Sequence, residues 1–166
     1  MVTQTTENGR QKCARYWPAT AETVTPGSDL TVEMINELEE HDGVIERTLL
    51  FKSKTKTRSV RQIQFVDWPD HGVPHDPSHF LVFLNKLREY RREIDDDSPT
   101  IVHCSAGVGR TGVTIALDAA ASKLEKNLKI DPALLLNEMR SQRGCLIQDE
   151  VINHHAVLYL THNAHV

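Results

Sequence analysis

The 166 residues suffice for one ordinary domain with a core of its own, and 39% hydrophobic with 25% charged residues is the balance of a globular chain rather than a disordered one. A formal net charge of −4 gives no support to general nucleic-acid binding, no apolar run reaches bilayer length, and no basic-then-apolar leader follows Met1. Three cysteines at unrelated spacings argue against a disulfide framework and fit a reducing compartment, while nine scattered histidines lack zinc-type pairing, so neither a metal nor a cofactor is expected.

In chain order, Met1 to Gln11 is polar and leads into Lys12 to Pro18, an amphipathic piece closed by proline. After an irregular stretch to Ser28, three extended segments are predicted: Leu30 to Ile35, Val44 to Lys52 and Arg58 to Val66. A Lys/Thr/Ser turn separates the last two. Helical spacing begins after Pro77, where Phe80, Leu81, Leu84, Leu87 and Arg88 set an apolar stripe against a basic face. It stops before the acidic run Asp95-Asp96-Asp97, read as a solvated loop. Pro99 to Val102 reads as a short buried strand. Further helices are predicted from Arg110 to about Lys126, from Pro132 to about Gln142 with Asp131 as N-cap, and from Glu150 to about Asn163. The pattern implies an α/β fold, a twisted mixed sheet flanked by helices, with a loop at His103–Gly112 between a central strand and its helix.

That loop, His103-Cys104-Ser105-Ala106-Gly107-Val108-Gly109-Arg110-Thr111-Gly112, places a cysteine and an arginine around small residues. Between a strand and a helix N-terminus, Ser105 to Arg110 can aim successive N–H groups at one point, and the unpaired donors together with the helix dipole favour an anion there. The same field acts on the thiol: from an ordinary pKa of about 8.5, thiols beside helix N-termini or cations fall to roughly 3.5–7.5. Cys104 is therefore a candidate nucleophile, and Arg110 a planar fork matched to two phosphate oxygens.

Trp68-Pro69-Asp70-His71-Gly72-Val73-Pro74 joins the last predicted strand to the first helix. Taken alone it is also an ordinary Pro/Gly turn with an exposed aspartate. Beside a phosphate loop, Asp70 becomes a candidate acid: a phenolate leaving group has a pKa of about 10, and proton donation to such a group is worth about 10²- to 10⁴-fold in rate. Gln148, in Arg140 to Gln148, could orient the water that hydrolyses a thiophosphate, or be a surface amide. Cys145, beside Leu146 and Ile147, reads as a small core residue.

The stretches KCARYWP, FVDWPDHGVP, VHCSAGVGRTG and MRSQRGCLIQ, in this order, resemble the protein tyrosine phosphatase family, specifically its tyrosine-specific branch, from about Glu7 to about Tyr159. The resemblance implies that residues 1–166 are the C-terminal catalytic portion of such a domain, a further N-terminal part of which would stack on the phosphotyrosine ring. It implies that Cys104 is the nucleophile, that Arg110 clamps the phosphate, and that Asp70 serves as acid and then base. Gln148 would position water, Thr111 would donate its hydroxyl to the leaving thiolate, and His103 would tune that thiolate. Glu7 would partner the clamp arginine, and Lys12 would meet the closed acid loop. The implied activity is metal-free hydrolysis of phosphotyrosine in proteins through a phosphocysteine, in signal transduction, in the cytoplasm or on the intracellular portion of a larger protein. Ile152 stands where the family usually has a second glutamine. Two alternatives are a phosphotyrosine-binding scaffold without turnover and a dual-specificity phosphatase, which the acid-loop motif and KCARYWP fit poorly.

Overall fold

The computed structural model describes residues 1–20, 22–39, 43–69, 72–74, 76–94 and 98–147. Asp70, Gln148, the acidic run at 95–97 and the helix expected after Glu150 lie outside the described residues. The described elements are β1 (Thr6–Glu7), β2 (Arg10–Gln11), β3 (Thr23–Val24), β4 (Leu30–Glu39), β5 (Val44–Ser53), β6 (Thr57–Phe65), α1 (Pro77–Glu93), α2 (Gly109–Glu125) and α3 (Pro132–Gln142). The first two pair as a small hairpin, and the next four form an antiparallel sheet in the order β3-β4-β5-β6.

Register decides which residues share a face. With Met34 opposite Leu49 and Arg47 opposite Gln62, one face carries Val32, Met34, Arg47, Leu49, Gln62 and Gln64; with Val44 opposite Phe65 and Glu46 opposite Ile63, the other carries those four. Trp17 and Met1 cover the first face, packed with Val32, Met34 and Leu49. The second face packs on α1 and α2 through Phe80, Phe83, Leu84, Val113 and Leu117. Phe65 and Phe83, fully buried there, contribute about 1.5–3 kcal/mol each relative to exposure.

The helices start where their chemistry dictates. Asp76 caps α1 by accepting from Ser78 N at 2.8 Å, and Asp131 caps α3 by accepting from the N–H groups of Ala133 and Leu134 at 3.0 Å; each cap precedes a proline in the first helical turn. The basic face of α1 meets the acidic side of α2: Arg88, itself buried, donates to Asp118 at 2.8 Å and to Glu125 at 2.5 Å, and Arg91 and Arg92 pair with the same two carboxylates. Those pairs fix how α2, and the loop at its N-terminus, lies against α1.

Past β6 the sheet continues through residues that the polar reading of the N-terminal stretch did not anticipate. Met1 N donates to Ile63 O at 2.8 Å and Phe65 N donates to Met1 O at 2.9 Å, two bonds bracketing Gln64 in the manner of a parallel pair. Val2 N then donates to His103 O at 2.8 Å. Every strand ladder among the described residues is antiparallel, and these bonds join the N-terminal segment to β6 on one side and to the segment that leads to Cys104 on the other.

One expectation fails here. Pro99 to Val102 forms no ladder among the described residues, and Ile101 is 83% exposed. Only Val102 of this run packs on the core, so apolar content alone did not make the run a buried strand.

Candidate active site

The loop after His103 closes on a sulfur. Cys104 is buried at 7% exposure, and the Thr111 hydroxyl donates to its Sγ at 3.1 Å. Burial pushes the thiol pKa up, but the Thr111 hydroxyl and the N–H groups of Thr111, Gly107 and Val108, all directed at the sulfur, outweigh it and hold the pKa below the ordinary cysteine value. The N–H groups are available because α2 begins without a side-chain cap: Val108 at its N-cap offers none. Gly107 takes a φ of 73°, the left-handed geometry that turns the loop back on the thiol. Ser105 and Ala106 are exposed at the rim, while Gly107, Val108 and Gly109 are half-buried.

Arg110 lies in the first turn of α2, and its guanidinium meets the Glu7 carboxylate face to face, with Nη1 donating to Oε1 at 2.6 Å and Nη2 to Oε2 at 2.9 Å. Glu7 is 8% exposed and also accepts from the Thr3 hydroxyl at 3.0 Å and from Gln4 N at 3.2 Å. Burial raises the Glu7 pKa, and the bonds and charge of Arg110, with those of Thr3 and Gln4, overcome it and hold the carboxyl below its usual range. The β1–β2 hairpin presents Glu7, and its turn, Asn8-Gly9, has φ of 50° and 72°. An Asn-Gly pair with both φ positive is the preferred two-residue hairpin turn, a signal for β1 and β2 that the sequence reading passed over.

Two further segments dock on the same loop. Arg110 Nη2 donates to the Pro69 carbonyl at 2.9 Å, which ties the clamp arginine to the residue before Asp70. Trp68, 3% exposed and edge-on to Phe80 at 5.0 Å, closes that segment by donating from its indole N–H to Gly72 O at 3.0 Å. From the other side Ile147, the residue before Gln148, donates its N–H to Val108 O at 3.1 Å. A Cβ on Gly112 would lie 2.9 Å from Ile147 N and Cγ1, so this approach needs glycine in α2. Arg140 holds the Leu146 and Ile147 carbonyls at 2.9 and 2.8 Å, and Arg143 Nε donates to Gly107 O at 3.0 Å. Neither arginine stood out in the sequence.

Of the residues singled out beforehand, the fold thus brings Cys104, Thr111, Arg110, Glu7 and His103 to one place. Lys12 follows β2 half-buried, with its N–H on Thr5 O at 2.9 Å. Cys145 is corrected: it is exposed, not in the core. Cys145 and Ile147 have φ of 62° and 56°, and this turned backbone buries Leu146 and Ile147 while leaving the Cys145 thiol outside.

The family model described as protein-tyrosine phosphatase matches residues 1–159. The chain belongs to the protein-tyrosine phosphatase family. Among curated relatives, tyrosine-protein phosphatase 1 of Caenorhabditis elegans is 41% identical over 149 residues, 89% of this chain and 14% of the relative. Human receptor-type tyrosine-protein phosphatase H is 40% identical over 90% of the chain and 14% of its own length. A rat relative named phosphatidylinositol phosphatase PTPRQ is 37% identical over 98% of the chain and 7% of its own length. The chain therefore spans a small fraction of the proteins it matches. Within a phosphatase-family domain, a thiol ringed by hydrogen-bond donors beside a buried arginine fork is an arrangement able to receive a phosphate dianion and attack its phosphorus. Among the described residues no helix is long and apolar enough to cross a membrane.

Proposed function

We propose that this chain is the catalytic portion of a protein-tyrosine-phosphate hydrolase that works through a phosphocysteine. The observation that carries the reading is the Cys104 thiol, lowered in pKa by the Thr111 hydroxyl and by loop and helix N–H groups, seven residues before Thr111 and next to the Arg110–Glu7 pair. The phosphate would lie over the N–H groups of Ser105 to Arg110, with two of its oxygens on the Arg110 edge that Glu7 leaves, Nε–H and the second Nη2 hydrogen, the latter exchanging the Pro69 carbonyl for phosphate. Cys104 Sγ attacks phosphorus, the P–O bond to the tyrosine ring breaks, and Asp70 gives its proton to the departing phenolate oxygen. Water held by Gln148 then attacks phosphorus, the P–S bond breaks, Asp70 takes the water proton, and the Thr111 hydroxyl donates to the departing thiolate. Free phosphate and tyrosine are the products. Glu7 orients Arg110, Lys12 meets the acid loop, and no step requires a metal. The partners would be phosphotyrosine-containing proteins in signal transduction, in the reducing cytoplasm or on the intracellular portion of a longer protein.

The test is phosphate release from an aryl phosphate and from phosphotyrosine peptides in the presence of chelator. Turnover is expected to persist with chelator and to vanish in Cys104→Ser; Asp70→Ala should bind substrate yet turn over about 10²- to 10⁴-fold more slowly. Loss of turnover on chelation, or an active Cys104→Ser, overturns the mechanism. Because one relative is named for phosphatidylinositol, matched rates on a phosphotyrosine peptide, a phosphothreonine peptide and a phosphoinositide decide the substrate class. A faster rate on either of the last two overturns the phosphotyrosine assignment. Binding of a phosphotyrosine peptide with no release from the intact chain identifies a scaffold instead.

A further inference from the structure

The covered polar residues of the sheet form a path to the active site that the proposed chemistry does not use. Arg47, on β5 and 6% exposed, stacks over the Trp17 ring at 4.4 Å and donates from Nη1 to Gln62 Oε1 at 2.9 Å and to Gln64 Oε1 at 2.8 Å. Gln62 Nε2 donates to the Tyr16 hydroxyl at 2.7 Å. That hydroxyl lies 2.8 Å from His103 Nε2, and His103 Nδ1 lies 3.1 Å from the Cys104 carbonyl. A second branch runs from Gln64 Nε2 to Thr3 O at 2.9 Å, and the Thr3 hydroxyl bonds Glu7, the partner of Arg110.

A guanidinium has five donors and no acceptor, so it can bond Gln62 only at the amide oxygen. The Gln62 NH₂ group must then face Tyr16, whose oxygen accepts from it and whose proton has two acceptors in reach, the Met1 sulfur at 3.9 Å and, closer and stronger, His103 Nε2 at 2.8 Å. His103 Nε2 takes that proton as an acceptor. A neutral imidazole with Nε2 accepting carries its own hydrogen on Nδ1, the atom facing the Cys104 carbonyl.

We propose that Arg47, which touches no reacting group, is a positioning residue: by donating to Gln62 it sets the direction of every hydrogen bond from β5 to His103 and so fixes the Nδ1–H tautomer that holds the Cys104 carbonyl. In a trans peptide the C=O and the following N–H point to opposite sides, so a carbonyl anchored on His103 turns the Ser105 N–H away from it, the orientation an anion-binding loop requires. Burial pushes the His103 pKa below its ordinary value, which keeps the ring neutral near pH 7, where one tautomer can dominate. This catalytic consequence rests on the proposed phosphatase reading; the tautomer does not.

Long-range ¹H–¹⁵N spectra of the 166-residue protein at neutral pH read the His103 tautomer directly. The native protein should show the proton on Nδ1, and a proton on Nε2 overturns the proposal without any variant. Gln62→Glu keeps an acceptor for Arg47 but has no N–H, so Tyr16 must donate to it and accept from His103 Nε2; the spectrum should switch to the Nε2–H form or to the doubly protonated ring. An unchanged Nδ1–H tautomer in that variant overturns the proposal. If Gln62→Glu fails to fold, Tyr16→Phe decides, since Tyr16 is 45% exposed and its loss leaves the sheet packing in place. A mixture of tautomers is expected there, and a single retained Nδ1–H form overturns the proposal. A native protein with Nδ1–H and no phosphatase activity would refute the proposed function while leaving the hydrogen-bond direction intact.

Discussion

The two faces of the central sheet are built by opposite means. Toward α1 and α2, Phe65 lies against Phe80 and Phe83 with ring centroids 5.4 and 5.7 Å apart, and the helices add Val113, Ala116 and Leu117. Toward the N-terminal segment the same strands present Arg47, Gln62 and Gln64, each less than a tenth exposed, all hydrogen-bonded under Trp17 and Tyr16. Apolar packing is non-directional: it fixes how far α2 stands from the sheet, and hence where the loop at Gly109 begins. Hydrogen bonds have sense as well as distance. The polar face is therefore able to set which way a proton or a carbonyl points at the end of the chain of contacts, which a core of leucines could not do.

Breaking the apolar face should have the largest effect. Phe83→Ala removes a fully buried ring from the contact between β6 and α1 and is expected to cost about 3–5 kcal/mol, read as a lowered midpoint in denaturant unfolding. A loss below about 1 kcal/mol would mean that this face collapses around the cavity and is not what positions α2. On the polar side, Glu7→Gln keeps shape but removes the charge that faces Arg110. The folded pKa of Glu7 lies below its unfolded value of about 4.3, so its contribution to stability is fully present above that pH and is lost as the pH falls through the depressed folded value. Unfolding free energies measured from pH 7 downward should therefore fall more steeply below about pH 4.3 in the native protein than in Glu7→Gln. Parallel curves would show that the Arg110–Glu7 pair carries no net weight.

The difference between the faces also explains what the sequence disclosed. The apolar side was legible: the predicted strand starting at Val44 and the helix with Asp131 as N-cap and Pro132 at N1 lie where periodicity and capping put them, as β5 and α3. The placement of the loop residues was legible too, because Cys104, Thr111 and Arg110 are local in sequence and the fold only has to close ten residues on themselves. The polar side was not. Arg47, Gln62 and Gln64 sit at inward positions of strands where the alternation rule expects apolar residues, and only cross-strand pairing brings Arg47 opposite Gln62 and both beneath Tyr16. Glu7 was placed by family resemblance, though the Asn8-Gly9 turn that presents it was readable on its own terms. The run Pro99–Val102 misled for a related reason: hydrophobic content marks what can be buried, and Ile101 has nothing described packed over it.

Removing the root of the polar network should do less to stability and more to direction. Arg47→Met fills the space over Trp17 but takes the donor from both the Gln62 and Gln64 oxygens; if one amide flips so that its NH₂ donates to the other's oxygen, about one unsatisfied group is left, at about 1–3 kcal/mol. The expected unfolding penalty is thus smaller than that of Phe83→Ala. A penalty as large would place Arg47 among the structural elements rather than the positioning ones.

The smallest perturbation is a chemical one that leaves the sequence intact. Cys13 and Cys104 report on the two environments at once: burial raises the Cys13 pKa, its sulfur donating to the Ala14 carbonyl at 3.3 Å, whereas four donors lower that of Cys104 despite its deeper burial. At a pH of about 6 an unperturbed thiol is almost wholly protonated, so a small alkylating probe should modify Cys104 first, with peptide mass mapping to identify the site. The rate at Cys104 should rise with pH to a plateau well before that of Cys13. Thr111→Val deletes the one side-chain donor to the sulfur and should shift that plateau upward in pH while leaving Cys13 unchanged. If Cys13 reacts first, or the Cys104 profile ignores Thr111, then the donors around the sulfur do not stabilise a thiolate, and the loop binds anions without being poised to attack them.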